Sequence, residues 1–274
     1  MQPRRQRACR LLCALALACA WPVALRAQDE VPFITTPDNV TLAMLELAQV
    51  GPTDFVLDLG SGDGRIVIQA AKRFGARGLG VEIVPELVER SRKNADLAGV
   101  GRSARFVVQD LFSTDLSVAT VITMYLLQEV NLQLRPSLLA LRPGTRVVSH
   151  DWDMGDWKPD RTVTVDAPDK AVGMEKRSRL HLWVVPVKAS GIWCGTGAHG
   201  GVRLRLAQRF QTFDSTLAAA GATHSMAGRI NGARLQAKGG FDAVVEGEGS
   251  RLRVSHAGAW PAALQGADFE RCAS

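Results

Sequence analysis

Asp58, Gly60, Gly62 and Gly64 stand in the run Leu57-Asp-Leu-Gly-Ser-Gly-Asp-Gly-Arg65, with the pattern acid-x-Gly-x-Gly-x-Gly. Glycines at alternate positions let a backbone turn tightly and approach a ligand closely. An apolar run over residues 54–59 enters this loop, and an amphipathic stretch over about 65–74 leaves it. That is a strand, a loop and a helix, and the start of such a helix offers N–H groups to a carboxylate or phosphate. The spacing differs from the dinucleotide pattern Gly-x-Gly-x-x-Gly, in which the third glycine comes one residue later. Asp58 also lies where it would repel a pyrophosphate. A ligand with an ammonium group and a single carboxylate fits Asp58, Gly60, Ser61, Gly62 and Gly64 better. Glu82 ends the run Gly78-Leu-Gly-Val-Glu82, 24 residues after Asp58. An acid at such a strand end suits two ribose hydroxyls. Asp110 and Leu111 follow Arg105-Phe-Val-Val-Gln, a third strand pattern ending in an acid, where the carboxylate can accept from a ligand amino group and the Leu111 backbone N–H lies alongside.

The loop resembles motif I of the class I methyltransferases that use S-adenosyl-L-methionine (SAM). From about residue 31 to 187 the chain is similar to one branch of them. This is the protein-lysine N-methyltransferase family that includes the mitochondrial enzymes acting on ATP synthase c-subunit and on the adenine nucleotide translocase. The residues that carry the likeness are Pro32-Phe-Ile-Thr-Thr36, Asp58-Leu-Gly-Ser-Gly-Asp-Gly-Arg-Ile-Val-Ile68 and Trp157-Lys-Pro-Asp160. Leu141-Arg-Pro-Gly-Thr-Arg-Val-Val148 resembles the superfamily's Leu-x-Pro-Gly-Gly turn. Met124-Tyr-Leu-Leu-Gln128 departs from the family's usual pattern, and nothing beyond residue 188 is covered.

The resemblance implies SAM as cofactor and a methyl acceptor that is a protein lysine amine. A small-molecule or envelope-component acceptor, and a non-catalytic SAM- or nucleotide-binding module, are the competing readings. In this fold the ends of the fourth and fifth strands face the acceptor. Tyr125, the chain's single tyrosine, falls there, and His150-Asp151-Trp152-Asp153 follows the fifth strand. Tyr125 is placed to align the acceptor, and Asp151 or Asp153 to orient a cationic amine. Trp152 and Trp157 are placed to wall a channel, with packing and loop anchoring as the alternative for them and for His150. His-Asp-x-Asp lacks further ligands, so no metal is expected.

The elements that must position these residues are readable from periodicity. Thr36-Pro37-Asp38 has the makings of a helix start, with Thr36 as N-cap, and Val40, Met44, Leu47 and Ala48 recur at helical spacing. Strand patterns at 78–82, 105–112, 119–124 and 145–150 alternate with helices at about 85–98 and 129–141, the last bent or broken near Pro136. Runs at 161–165 and 179–185 close the set as a hairpin. The expected architecture is α/β, a doubly wound, mostly parallel Rossmann-like sheet. After residue 187 the helical period vanishes and short alternating runs at 202–206, 213–217, 233–237, 241–245 and 251–255 predict a smaller all-β barrel or sandwich. The boundaries expected are 1–27, 28–187 and 188–274.

Residues 1–27 carry Arg4, Arg5, Arg7, Arg10 and Arg26 and no acid, which accounts for five of the net charge of +6. The remainder is nearly neutral, so a dedicated nucleic-acid partner is not expected. The same segment has an Arg-rich start, an apolar core at 11–20 and small residues near Ala24 and Ala27. This is the layout of a secretory signal. It predicts an exported protein, periplasmic or secreted, with a membrane anchor and envelope association as the alternative. Cys194 and Cys272 are the cysteines outside that segment, and in an exported chain two cysteines suggest one disulfide.

Overall fold

The run Val56-Leu-Asp-Leu59 is buried throughout, as expected of a strand covered on both faces by helices. In the computed structural model, which describes residues 34–173, 175–219 and 221–272, it belongs to β1 (Phe55–Leu59) at the centre of a seven-stranded sheet. The proposed signal segment lies outside the described residues. The other strands are β2 (Arg77–Glu82), β3 (Ala104–Val108), β4 (Val121–Met124), β5 (Arg146–His150), β6 (Arg161–Asp166) and β7 (Arg177–Val184). Their order is β3-β2-β1-β4-β5-β7-β6, parallel except for β7, which runs antiparallel between β5 and β6. The order reverses direction at β1, so the β1–α2 loop sits at the switch point where such sheets bind ligands.

The helices are α1 (Asp38–Leu47), α2 (Arg65–Phe74), α3 (Pro85–Leu97) and α4 (Gln128–Leu139). Helix α2 buries Ile66, Val67 and Ala70, carries Lys72 and Arg73 in its last turn, and stops at Gly75 in the left-handed region, φ +69°. Two expectations change. Helix α4 runs unbroken through Pro136. Pro136 and Leu132, whose carbonyl loses its helical partner, are both on the exposed side, where water can satisfy that carbonyl. Thr36 does not cap α1: Pro37 occupies that position, and the Thr36 hydroxyl meets His150.

Beyond β7 the chain forms a closed antiparallel barrel of eight strands. They are β8 (Gly191–Gly195), β9 (Arg203–Arg209), β10 (Thr212–Ala219), β11 (Ala222–Asn231), β12 (Arg234–Ala237), β13 (Asp242–Glu246), β14 (Arg251–His256) and β15 (Asp268–Arg271). Closure removes the sheet edges, and alternate residues such as Trp193, Leu204, Leu252 and Phe269 fill the interior. The expected disulfide is present, joining Cys194 to Cys272 with their Cα atoms 5.1 Å apart. Among the described residues no helix is long and apolar enough to cross a membrane.

Candidate active site

Three left-handed glycines build the β1–α2 loop: Gly60 at φ +74°, Gly62 at +53° and Gly64 at +82°. Gly64 has a second reason to be glycine, because a Cβ there would lie 2.7 Å from the Phe106 ring and 2.9 Å from Ser91 Cβ. The N–H groups of Gly60 and Ser61 donate to the Val81 carbonyl, both at 3.0 Å. Glu82 completes the lock. Its Oε2 accepts from Gly62 N–H at 3.0 Å, and its Oε1 accepts from the N–H groups of Ile83 at 2.8 Å and Val84 at 3.1 Å. Thus Glu82, at the end of β2, and the glycines are brought together.

Asp58 lies beneath this loop, 2% exposed, and its Oδ1 accepts from the Thr123 hydroxyl at 2.7 Å. Burial pushes its carboxyl up to about 7; the charges of Asp63 and Glu82 push the same way and the Thr123 hydrogen bond opposes them. A buried acid balanced between its two forms is poised to receive a cation. The buried Ser61 Oγ has no hydrogen-bond partner among the described residues. Asp110, exposed, caps a short 3₁₀ turn over Leu111–Ser113 and accepts from Phe112 N–H at 2.8 Å. The adjoining apolar side chains Ile83 and Phe112 are 59% and 52% exposed and offer ring-covering surface at the same sheet edge. They were not singled out from the sequence, where each is an ordinary apolar residue. The available signal was their position just past a strand-end acid.

Tyr125, the residue expected to align the acceptor, lies directly after β4. Its ring stacks on His150 with centroids 3.9 Å apart. His150 is fully buried, its Nδ1 3.2 Å from Thr36 Oγ1 and its Nε2 2.7 Å from Ser178 Oγ. Burial pushes its pKa down to about 4, against the pull of Asp151 and with help from Lys170. It is therefore a neutral platform. Burial, then the Asp151 charge, raises the Tyr125 pKa, so that hydroxyl stays protonated and can donate.

The two candidate carboxylates differ. Asp151 sits in the left-handed region at φ +64°. Its Oδ1 accepts from Arg179 N–H at 2.9 Å and its Oδ2 pairs with Lys170 at 2.6 Å. Asp153 uses Oδ1 alone, accepting from Gln128 Nε2 and Gly155 N–H, both at 2.9 Å. Trp152 is 41% exposed, whereas Trp157 is fully buried against Trp183 and provides no channel wall. Among the described residues no group of three metal-ligating side chains occurs.

The profile of the ANTKMT methyltransferase domain matches residues 58–161. A protein-lysine N-methyltransferase of Saccharolobus islandicus (strain REY15A) is 45% identical over 138 residues, covering 50% of this chain and 86% of that protein. The adenine nucleotide translocase lysine N-methyltransferase of Mus musculus is 36% identical over 143 residues, 52% of this chain and 61% of the mouse protein. Among solved structures, an RNA methyltransferase from Salinibacter ruber, in complex with S-adenosyl-L-homocysteine, is 51% identical with a TM-score of 0.52, covering 57% of this chain and 95% of that one.

Proposed function

This chain belongs to the family of SAM-dependent methyltransferases that includes the protein-lysine N-methyltransferases, and from that membership we propose that its acceptor is a lysine ε-amine of a protein. The observation that carries the acceptor is the 45% identity to a protein-lysine N-methyltransferase across 86% of that relative's length.

SAM supplies an electrophilic methyl carbon bonded to a sulfonium. The chain's residues suit it. Asp58 offers a buried carboxyl to an ammonium, Ser61 Oγ lacks a partner among the described residues, and the glycine turn lets the backbone come close. Glu82 and Asp110 have the oxygens for ribose and adenine donors, and Ile83 and Phe112 the apolar surface for the base. With so good a leaving group, the protein's work is alignment and exclusion of water. A lysine must shed a proton before it attacks. Asp153 keeps a carboxylate oxygen, Oδ2, without a hydrogen-bond partner among the described residues, and in this reading it draws in and orients the ammonium. The Tyr125 hydroxyl, held by its stack on His150, sets the angle of approach. Asp151, neutralised by Lys170, shapes the turn.

Labelled SAM offered to protein, RNA and small-molecule fractions decides the acceptor. Methyllysine in the hydrolysed protein fraction is the expected result. Label confined to RNA or small molecules would overturn the reading.

SAM affinity should rise with pH through about 7, because the Asp58 proton must leave before an ammonium can pair with the carboxylate. Between about pH 7.5 and about pH 5.5 the affinity should fall about 25-fold, the drop in the ionised fraction of a group titrating near 7. Calorimetry should find the Asp58→Asn variant weak and flat over that range; a flat wild type would remove Asp58 from the ammonium site.

We also infer that the protein works outside the cytoplasm. The charged and apolar layout of residues 1–27 and the Cys194–Cys272 pair support this, since disulfides persist in oxidising compartments. N-terminal sequencing of protein from its host should find a start near residue 28; an intact Met1 terminus would favour the anchor.

A further inference from the structure

The barrel's side-chain polar contacts with the rest of the chain gather on one short segment. Among the described residues, the side-chain hydrogen bonds and ion pairs that run from beyond residue 187 to residues before it all end on Asp156, Lys158 and Asp160. Arg209 Nη2 lies 3.5 Å from Asp156 Oδ2, Gln211 Nε2 donates to the Lys158 carbonyl, and Arg229 Nη2 donates to Asp160 Oδ1 at 2.9 Å. These three residues alternate along the segment that joins Asp153 to β6.

The tip of the β9–β10 hairpin, Phe210-Gln211, is built for this contact. Phe210 adopts φ +51°, a conformation that costs a residue with a large side chain free energy. Its ring is the compensation: it stacks near Trp157, centroids 6.3 Å apart, under the Arg135 guanidinium at 5.8 Å. Gln211, 4% exposed, is held in turn by its carbonyl, which accepts from Ile230 N–H at 2.8 Å. On the other side of the segment, Trp183 Nε1 donates to the Trp157 carbonyl at 2.8 Å and Val184 N–H donates to Asp160 Oδ2 at 2.9 Å. Met154 and Trp157 bridge one another across a tight turn, so a fixed Trp157 fixes Met154 and, one residue earlier, Asp153.

We propose that the β9–β10 tip, together with Arg229 on the neighbouring β11, clamps the 151–160 loop, which makes Gln211 and Arg229 positioning residues for methyl transfer and the barrel a working part of the acceptor site. The inference rests on the reading that Asp153 serves the acceptor. None of the clamp's hydrogen bonds or ion pairs ends on the cofactor loop, 58–65, so loosening the clamp should separate acceptor geometry from SAM binding.

The test uses the full chain with Arg229→Ala, with Gln211→Ala added in a second variant, and with Arg203→Ala as a control at an exposed barrel arginine of the same charge. Hydrogen exchange should quicken over residues 151–160 and stay unchanged over 58–65, with SAM affinity within about twofold of wild type. With poly-lysine as the probe acceptor, kcat/KM should fall about tenfold, a size typical of slight misplacement at a reacting centre. Arg229→Lys should restore most of it, and Arg203→Ala should match wild type. Unchanged exchange over 151–160, exchange that rises equally over 58–65, or wild-type transfer by the double variant would each overturn the clamp. If wild type itself leaves poly-lysine unmethylated, the exchange comparison alone decides the clamp, and the lysine reading stands or falls separately on the fractionated-label experiment.

Discussion

Replacing Cys194 and Cys272 together by serine should lower the stability of the barrel by about 4 kcal/mol, the loop-closure value for a bridge of this span. The bridge links residues 78 apart in sequence. It sits at the seam where the first and last barrel strands pair, Cys194 opposite Glu270, with Cys272 two residues further on. There it restrains the two strands whose separation would open the barrel. Denaturant melts with and without reductant should show the same loss as the serine variants. A loss below about 1 kcal/mol would mean that the packed interior around Trp193 and Phe269 closes the barrel unaided.

Glu82→Ala should cost stability and SAM affinity together. Three backbone N–H groups, of Gly62, Ile83 and Val84, lose their acceptor in one substitution. Hydrogen bonds to a charged group contribute about 1.5–3 kcal/mol, and donors left without a partner in a buried site add to the loss. With solvent reaching some of them, a net destabilisation of about 2–3 kcal/mol is expected. SAM affinity should drop by more than tenfold, because the glycine turn loses its anchor and the cofactor loses a carboxylate. Glu82→Gln separates the two effects: it keeps the size but turns an amide group toward at least one backbone donor. Calorimetry finding wild-type SAM affinity in Glu82→Ala would exclude Glu82 from the cofactor site, whatever the melting temperature does.

The cofactor side of this protein was legible in the chain because its signals are local. Positive-φ glycines, the strand before them and the helix after them occupy about twenty consecutive residues, and α2 occupies the stretch its periodicity predicts, Arg65–Phe74. Glu82 and Asp110 could be placed because parallel strands in such sheets all end at one edge. Short barrel strands were harder. β8 is five residues with a glycine at each end, β15 is the four residues Asp268-Phe-Glu-Arg271, and β11 points small and polar residues such as Gly228 and His224 inward. None of the three shows a clear apolar alternation, and barrel closure makes them strands.

The acceptor side was decided by tertiary structure. Thr36 reads as a helix cap, yet its hydroxyl goes to His150, 114 residues away. Asp151 and Asp153 look alike in sequence; only the neighbouring Lys170 and Gln128 distinguish a neutralised carboxylate from one with an oxygen to spare. Trp152 and Trp157 likewise part company, one exposed and one buried. The sequence by itself determined the donor side, since backbone conformation and strand order follow from residue type and periodicity over a few neighbours. Which carboxylate is available, which histidine is neutral and what grips the 151–160 loop depend on partners brought together across as many as 114 residues. Only the packing of β5 against β7 and of the barrel tip against Trp157 puts those partners in place.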